Sequence, residues 1–355
     1  MHVLVTGGAG YIGSHTVLQL LQEGHQVSVL DNFSNSSPES IRRVIELSGL
    51  SVNLHKVDLL DEDLLKATLV SAKPDAVIHF AGLKAVGESV SQPLKYYRNN
   101  VTGTLNLLDA MGLAGCRTLV FSSSATVYGE SVALPLVEAT PRSATNPYGR
   151  TKLHIEEMLE ELGASDERWS IANLRYFNPV GAHESGQIGE DPQGVPNNLM
   201  PYVAQVAIGR RDKVSVYGGD YQTPDGTGVR DYIHVEDLAA GHLAALDFLR
   251  KSVGVHVWNL GTGAGSSVLE VIDAFRRVSG QPVAYEIVDR RLGDVAESYA
   301  NPEKARLELG WKAERGLEQM VEDMWRWQKQ NPLGFEADHL LEPTDEEIVA
   351  YLGRE

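Results

Sequence analysis

The opening segment, residues 1–31, constrains this chain more than any other stretch. A short apolar run over 2–5 leads into Thr6-Gly7-Gly8-Ala9-Gly10-Tyr11-Ile12-Gly13, in which Gly8, Gly10 and Gly13 make the pattern G-x-G-x-x-G. An amphipathic run follows over 11–22, and a second apolar run over 26–30 ends at Asp31. Strand, glycine turn, helix, strand and acid in that order form the dinucleotide-binding arrangement. The glycines permit a tight turn and let backbone N–H groups approach a pyrophosphate, and the helix start adds the positive end of its dipole. Asp31 lies 18 residues after Gly13, close to the spacing of about 20 at which a carboxylate meets the adenosine ribose hydroxyls. That carboxylate repels a 2′-phosphate, so the expected cofactor is NAD rather than NADP.

A unit of this kind opens a doubly wound α/β fold, and the pattern continues it. Strands are expected over 51–57, 76–80, 117–121 and 169–177, alternating with helices over 61–72, 93–113 and 147–162. A loop and a short helix fill 33–50. Asp58, after the third strand, suits an adenine amino group as well as it suits plain surface. Small residues at Ala81 and Gly82 let the backbone come close to a cofactor, and Lys84 either reaches a phosphate or is a solvated loop lysine. Past 177 the composition changes, and 181–200 is rich in Gly, Pro and Asn. The expected division is an NAD-binding domain at 1–177, joined by about 232–262, and a smaller α/β substrate domain at 178–231 and 263–335. Past 177, helices are expected over 201–207, 236–250, 266–279, 302–309 and 316–330, and strands over 214–217, 256–260 and 283–288. The run 230–235 reads as a strand returning to the main sheet. Residues 336–355 form a C-terminal extension, in which Thr344 could cap a short helix over 345–352.

The candidate chemistry lies at Asn146-Pro147-Tyr148-Gly149-Arg150-Thr151-Lys152. Asn146 is a good N-cap and Pro147 suits the first helical position. Tyr148 and Lys152, four apart, then share a face. A fixed ammonium favours the phenolate, lowers the phenol pKa and makes a general base for a hydroxyl. Alone, the spacing suits an ordinary surface helix better, since the chain has 13 tyrosines. Ser122, Ser123 and Ser124 end the fifth strand, where doubly wound sheets bind ligands. One of them could bond a reacting oxygen, or all could satisfy local backbone.

Composition removes several classes. A formal net charge of −17 argues against nucleic acid and anionic membranes. It does not exclude a small anionic ligand held by a few arginines. No apolar stretch approaches about 18 residues, so no membrane span is expected. The single cysteine, Cys116, allows neither an intrachain disulfide nor a cysteine metal site and reads as a small core residue. No metal site is expected. The opening run is too short for a signal peptide and lacks a basic leader, so a cytoplasmic location is expected.

Several segments together carry a resemblance over about 1–335. They are the glycine turn, His79-Phe80-Ala81-Gly82-Leu83-Lys84-Ala85-Val86-Gly87-Glu88-Ser89, Ser122-Ser123-Ser124-Ala125-Thr126-Val127-Tyr128-Gly129, and Tyr148 with Lys152. Arg175-Tyr176-Phe177-Asn178-Pro179-Val180-Gly181-Ala182, Pro196-Asn197-Asn198-Leu199-Met200-Pro201 and Gly228-Val229-Arg230-Asp231-Tyr232-Ile233-His234-Val235 complete the set. The chain resembles the extended short-chain dehydrogenase/reductase family, in the branch that inverts C4 of UDP-glucose and UDP-galactose. The resemblance implies a catalytic set of Ser124, Tyr148 and Lys152. It implies cofactor contacts at Gly7, Gly8, Gly10, Tyr11, Ile12, Gly13, Asp31, Asn32, Asn35, Asp58, Leu59, Phe80, Ala81, Gly82, Lys84, Asn99 and Phe177, besides the catalytic set. Substrate contacts are implied at Lys84, Ser124, Tyr148, Asn178, Asn198, Leu199, Arg230, Arg291, Asp294 and Ser298, with Tyr217 near the uracil.

The implied reaction is redox-neutral, by way of a 4-keto sugar and tightly bound NAD. Related sugar-nucleotide dehydratases and decarboxylases carry acids just after the active-site hydroxyl, and here Ala125 and Thr126 stand there. A catalytically dead NAD-binding sensor would have no need of Ser124, Tyr148 and Lys152 together. Ser298 is small where a Tyr resembles forms limited to UDP-glucose and UDP-galactose, so N-acetylated UDP-hexosamines are expected to fit as well. The family commonly pairs as a homodimer through helices near 94–113 and 147–162.

Overall fold

The structure, a computed structural model, describes residues 1–130, 133–291 and 294–335. The opening apolar run forms β1 (His2–Thr6), and Val3, Leu4 and Val5 are wholly buried. Successive strand residues point to opposite faces. Val3 and Val5 accordingly join one apolar core and Leu4 another. A strand that is apolar on both sides belongs in the middle of a sheet covered by helices on both faces.

The first half of the chain alternates strand and helix. It runs β1, α1 (Tyr11–Gln22), β2 (Gln26–Asp31), α2 (Pro38–Ser48), β3 (Asn53–Lys56), α3 (Glu62–Ala72), β4 (Ala76–His79), α4 (Val86–Ser91) and α5 (Pro93–Tyr96). A π-helical turn, Tyr97–Thr102, leads into α6 (Gly103–Ala114) and β5 (Thr118–Ser124). A 3-10 turn at Ala125–Tyr128 precedes α7 (Pro147–Ser165) and β6 (Ser170–Tyr176). Then come β7 (Asn178–Val180), α8 (Leu199–Ala207), β8 (Val214–Tyr217), β9 (Val229–His234), α9 (Val235–Leu249) and β10 (Gly254–Leu260). The rest is β11 (Gly265–Ser267), α10 (Val268–Ser279), β12 (Tyr285–Val288), β13 (Glu297–Ser298), α11 (Glu303–Leu309) and α12 (Leu317–Gln330).

Local chemistry sets many of the boundaries. Ser37 caps α2 by accepting from Glu39 N–H, with Pro38 at the first position. Asp61 caps α3. Ser267 and Glu270 form a capping box at α10, which Gly280 ends at φ +66°.

Seven parallel strands form the main sheet in the order β10-β6-β5-β4-β1-β2-β3. The strand order reverses between β1 and β4, and ligands of such sheets bind in the crevice beyond the strand ends at that point. The doubly wound parallel sheet expected from the sequence is therefore present. A separate apolar core, around Met200, Phe275, Met324 and Trp327, lies between α8, α10 and α12.

Three expectations change in detail. Residues 93–113 are not one α-helix, because the π-helical turn widens the coil at Asn99 and Asn100. Such turns recur at functional sites. The strand at 229–234 does not return to the main sheet. It pairs instead with β7, β11 and β13, and β10 is the strand that takes the place beside β6. Ser266 lies in β11 rather than in a helix, because the cap at Ser267 delays the helix start. The short strand β7, which carries Pro179, was not evident in the sequence, and neither was β13. The helix expected over 345–352 lies outside the described residues. Cys116 is buried as expected. Among the described residues, no helix is long and apolar enough to cross a membrane.

Candidate active site

The turn after β1 is packed too tightly for a side chain at Gly7, Gly8 or Gly13. A Cβ at Gly13 would lie 2.3 Å from the Gly7 carbonyl oxygen, and one at Gly8 would lie 2.9 Å from both Val29 methyls. One at Gly7, which holds φ +67°, would meet the Ala81 nitrogen at 2.7 Å. The first turn of α1 begins after Gly10 with no side-chain cap and no acid. Its amides therefore face the crevice as an anion site. Ile12 lies in this turn, and the Tyr11 hydroxyl donates to the Gly181 carbonyl at 2.6 Å.

Asp31 stands at the rim, accepting from Ala9 N–H (3.1 Å), Phe33 N–H (2.9 Å) and the Ser36 hydroxyl (2.8 Å). Burial raises its pKa, and these hydrogen bonds oppose the rise. Asn32 donates to Asp58 at 2.8 Å, which brings those two expected contacts together. The Leu59 carbonyl accepts from Asn106. Asn35 is exposed on the loop. An uncapped helix start, a glycine turn and a carboxylate at the rim fit a dinucleotide.

The ends of β1 and β4 are joined across the crevice. Thr6 Oγ1 lies 2.7 Å from His79 Nδ1, and Thr104 Oγ1 lies 3.0 Å from His79 Nε2. Burial, then the Lys152 charge, lowers the His79 pKa to about 3, so the ring is neutral. Phe80 packs on His242, and the Phe80 and Ala81 amides both donate to the Thr6 carbonyl. Past Gly82, Asn100 takes the Leu83 N–H at 2.8 Å and donates to the Leu83 carbonyl and to Thr151 on α7. Asn99, beside it in the π-helical turn, donates to Asn100 Oδ1.

Tyr148 and Lys152 take the expected places on α7. Asn146 Oδ1 accepts from Gly149 N–H at 2.9 Å, and Pro147 opens the helix. Ser124 ends β5, where Thr126 donates its amide (3.2 Å) and its hydroxyl (3.0 Å) to Ser124 Oγ. The expected lowering of the Tyr148 phenol is not seen in the polypeptide alone. Burial raises its pKa, and a side-chain hydrogen bond with Ser124 is what opposes the rise. The reason lies at Lys152, whose ammonium donates to the Ser122 carbonyl at 2.6 Å and rests 4.8 Å from the Phe121 ring centroid. Burial lowers the Lys152 pKa to about 8, against the Glu156 carboxylate, which raises it.

The sugar-nucleotide candidates gather along β9 and its neighbours. Arg230 on β9 pairs in register with Ser298 on β13, and its guanidinium lies 3.9 Å from Asp294. The Asp294 amide donates to the Arg291 carbonyl, and the Arg291 guanidinium lies 3.8 Å over the Tyr217 ring. Asn178 donates to the Asp231 carbonyl at 3.1 Å. Leu199 begins α8, Asn198 caps it by position, and Phe177 is buried with Val127 and Tyr128. Lys84 is not free: its ammonium lies 3.2 Å from Glu190, which also accepts from Asn198 at 2.9 Å.

Sequence reasoning missed Glu156, Arg175, Asn100 and Glu190. Glu156 and Arg175 form a bidentate ion pair, both almost wholly buried, and Glu156 also accepts from Ser123. The signal for Glu156 was available, since it follows Lys152 by one helical turn. Glu190 lies in the irregular 181–200 segment, where no periodicity marks a residue as buried.

The family model described as GDP-mannose 4,6 dehydratase matches residues 4–324. UDP-glucose 4-epimerase of Bacillus subtilis is 57% identical over 337 residues, spanning 95% of this chain and 99% of that protein. The human UDP-glucose 4-epimerase is 59% identical over 340 residues, spanning 94% and 98%. Among solved structures, the Bifidobacterium longum UDP-glucose 4-epimerase in complex with NAD+ and UDP superposes with a TM-score of 0.92 at 52% identity, spanning 94% of this chain and all of that one.

Proposed function

The chain belongs to the extended short-chain dehydrogenase/reductase family, in its UDP-glucose 4-epimerase branch, and we propose that Tyr148, Ser124 and Lys152 carry its C4 epimerisation of UDP-glucose and UDP-galactose. NAD is the cofactor, and when bound it accepts and returns the C4 hydride and brings a positive charge. One observation carries the assignment of the catalytic set. Ser124 at the carboxyl end of β5 is the side chain that opposes the burial-driven rise of the Tyr148 phenol, with no acid at Ala125 or Thr126. Dehydration needs an acid there to protonate a leaving hydroxyl.

The geometry supports the following roles. Tyr148 Oη takes the proton of the sugar 4-hydroxyl and later returns it. Ser124 Oγ bonds the same oxygen and keeps it at the phenol. Lys152, one helical turn after Tyr148, supplies positive charge to the site while the Ser122 carbonyl fixes its position. The glycine turn and Asp31 hold the cofactor, with Asn32, Asp58, Leu59, Asn99 and Phe177 around it. Arg230 and Arg291 match the pyrophosphate oxygens with guanidinium forks. Tyr217, under the Arg291 guanidinium, offers its ring to the uracil. Asn178, Asn198 and Leu199 border the sugar.

Substrate breadth turns on Ser298. A serine at that register position beside Arg230 leaves space at the sugar's C2 substituent, and UDP-GlcNAc and UDP-GalNAc are therefore included. The protein acts as a cytoplasmic homodimer, paired through the α5–α6 and α7 helices. Exposed Val90, Leu94 and Leu113 on the 86–114 segment support that face.

The test is direct. Purified protein is given UDP-galactose with no added NAD, and the sugar signals are followed by NMR. Appearance of UDP-glucose supports both the reaction and a retained cofactor. No conversion even with added NAD would refute the proposal.

A further inference from the structure

We propose that Glu190 is a positioning residue for the bound sugar nucleotide, acting through Lys84 and Asn198; the inference rests on the substrate roles given above to those two residues. Glu190 Oε1 is shared between them. The Lys84 ammonium approaches it at 3.2 Å and the Asn198 amide donates to it at 2.9 Å. Lys84 comes from the loop after β4 at the cofactor crevice, and Asn198 stands at the start of α8. One buried oxygen thus ties the crevice of the main sheet to the segment that borders the sugar.

The carboxylate is itself held from behind. The Glu190 carbonyl accepts from Trp327 Nε1 at 3.1 Å, and a Cβ on the preceding Gly189 would lie 2.5 Å from the Trp327 ring. Residues 189–190 are therefore pressed onto α12 and cannot drift. The Tyr11 phenol faces the same carboxylate, and after burial the Glu190 charge is what most raises its pKa. The side chain of Glu190 is only 4% exposed, whereas that of Lys84 is 51% exposed.

Its second oxygen, Oε2, is buried and has no hydrogen-bond partner among the described residues. A buried, half-satisfied carboxylate is unfavourable for folding alone, so its presence calls for another reason. Holding Lys84 and Asn198 at a common point supplies one. An exposed lysine otherwise samples many rotamers, and an anionic ligand would have to order it on binding. Glu190 orders it beforehand.

The test is steady-state kinetics on the purified holoenzyme with UDP-galactose, comparing wild type, Glu190→Gln, Lys84→Ala, Asn198→Ala and the Lys84→Ala/Glu190→Gln pair. The amide of Glu190→Gln keeps the shape and an oxygen for Asn198 but removes the charge that holds Lys84. It is expected to raise KM about tenfold while kcat and bound NAD stay near wild type, the size expected for losing one charge-assisted hydrogen bond. In the double variant the KM effects should be far from additive. If Lys84→Ala and Asn198→Ala raise KM and Glu190→Gln leaves it unchanged, Glu190 has no positioning role. Additive effects in the pair, or a fall in kcat at unchanged KM, overturn the proposal equally. If neither Lys84→Ala nor Asn198→Ala moves KM, the substrate roles fail first and this inference falls with them. Should Glu190→Gln melt well below wild type, Glu190→Asp keeps the charge, and partial recovery of KM there is the supporting result. No recovery in Glu190→Asp counts against it.

Discussion

Replacing Tyr148 by Phe removes one oxygen from the site and leaves the ring in place. The structure sets the expected size of the loss. Among the described residues, no other group at the site is free to replace the phenol. His79 is neutral and engaged by Thr6 and Thr104, Glu156 is held by Arg175 and Ser123, and the Thr126 hydroxyl is spent on Ser124. A positioned acid–base group contributes about 10²–10⁴-fold, and with no substitute the loss should fall in the upper part of that range, about 10³–10⁴-fold. That corresponds to about 4–5.5 kcal/mol of barrier. The assay is conversion of UDP-galactose to UDP-glucose with bound NAD measured on the same sample. Wild-type activity should fall about tenfold per pH unit on the acid side of the phenol's pKa, because only the phenolate accepts the proton. Tyr148→Phe should lack that limb. The phenol is raised by burial in the polypeptide alone, so its titration should move down when NAD binds. A Tyr148→Phe enzyme within tenfold of wild type, with NAD still bound, refutes this reasoning.

Two further substitutions probe the same account. Burial brings Lys152 from 10.5 down to about 8, so between those values the unfolded chain holds a proton that the folded protein does not, and stability rises with pH across that window. Lys152→Met relieves a penalty of roughly 3 kcal/mol, offset by loss of the charged bond to Ser122, roughly 1.5–3 kcal/mol. Thermal unfolding of the cofactor-free proteins should show the variant at least as stable at pH 7, with its advantage shrinking towards pH 10.5. A pH-independent difference is the contrary result. Ser298→Tyr should abolish turnover of UDP-GalNAc while sparing UDP-galactose, and equal loss of both would remove the space argument at Ser298.

Much of this site was legible because its parts are local. The glycine turn, the spacing to Asp31 and the cap at Asn146 each follow from a few adjacent residues, and the structure keeps all three. Short continuous apolar runs placed the main-sheet strands within a few residues. What escaped depends on distant contacts. Whether 229–234 joins the main sheet or a small second sheet is decided by pairing with β7, β11 and β13, and a strand of similar pattern suits either. The π-helical turn at 97–102 leaves no periodicity signal that separates it from a long α-helix. Helical spacing puts Tyr148 and Lys152 on one face, but it does not show that the ammonium turns to the Ser122 carbonyl, which leaves burial to raise the phenol pKa. Glu190 and Arg175 carry charges that sequence reading assigns to the surface, and only the fold shows them buried with partners.

The central claim is that one site inverts C4 by removing and returning the same hydride, with Tyr148 moving only the hydroxyl proton. UDP-galactose carrying deuterium at C4 tests it most directly. Converted by the purified protein in ordinary water, it should give UDP-glucose with the deuterium still at C4. Loss of that label to solvent would contradict the account, because it would mean that the C4 hydrogen leaves as a proton.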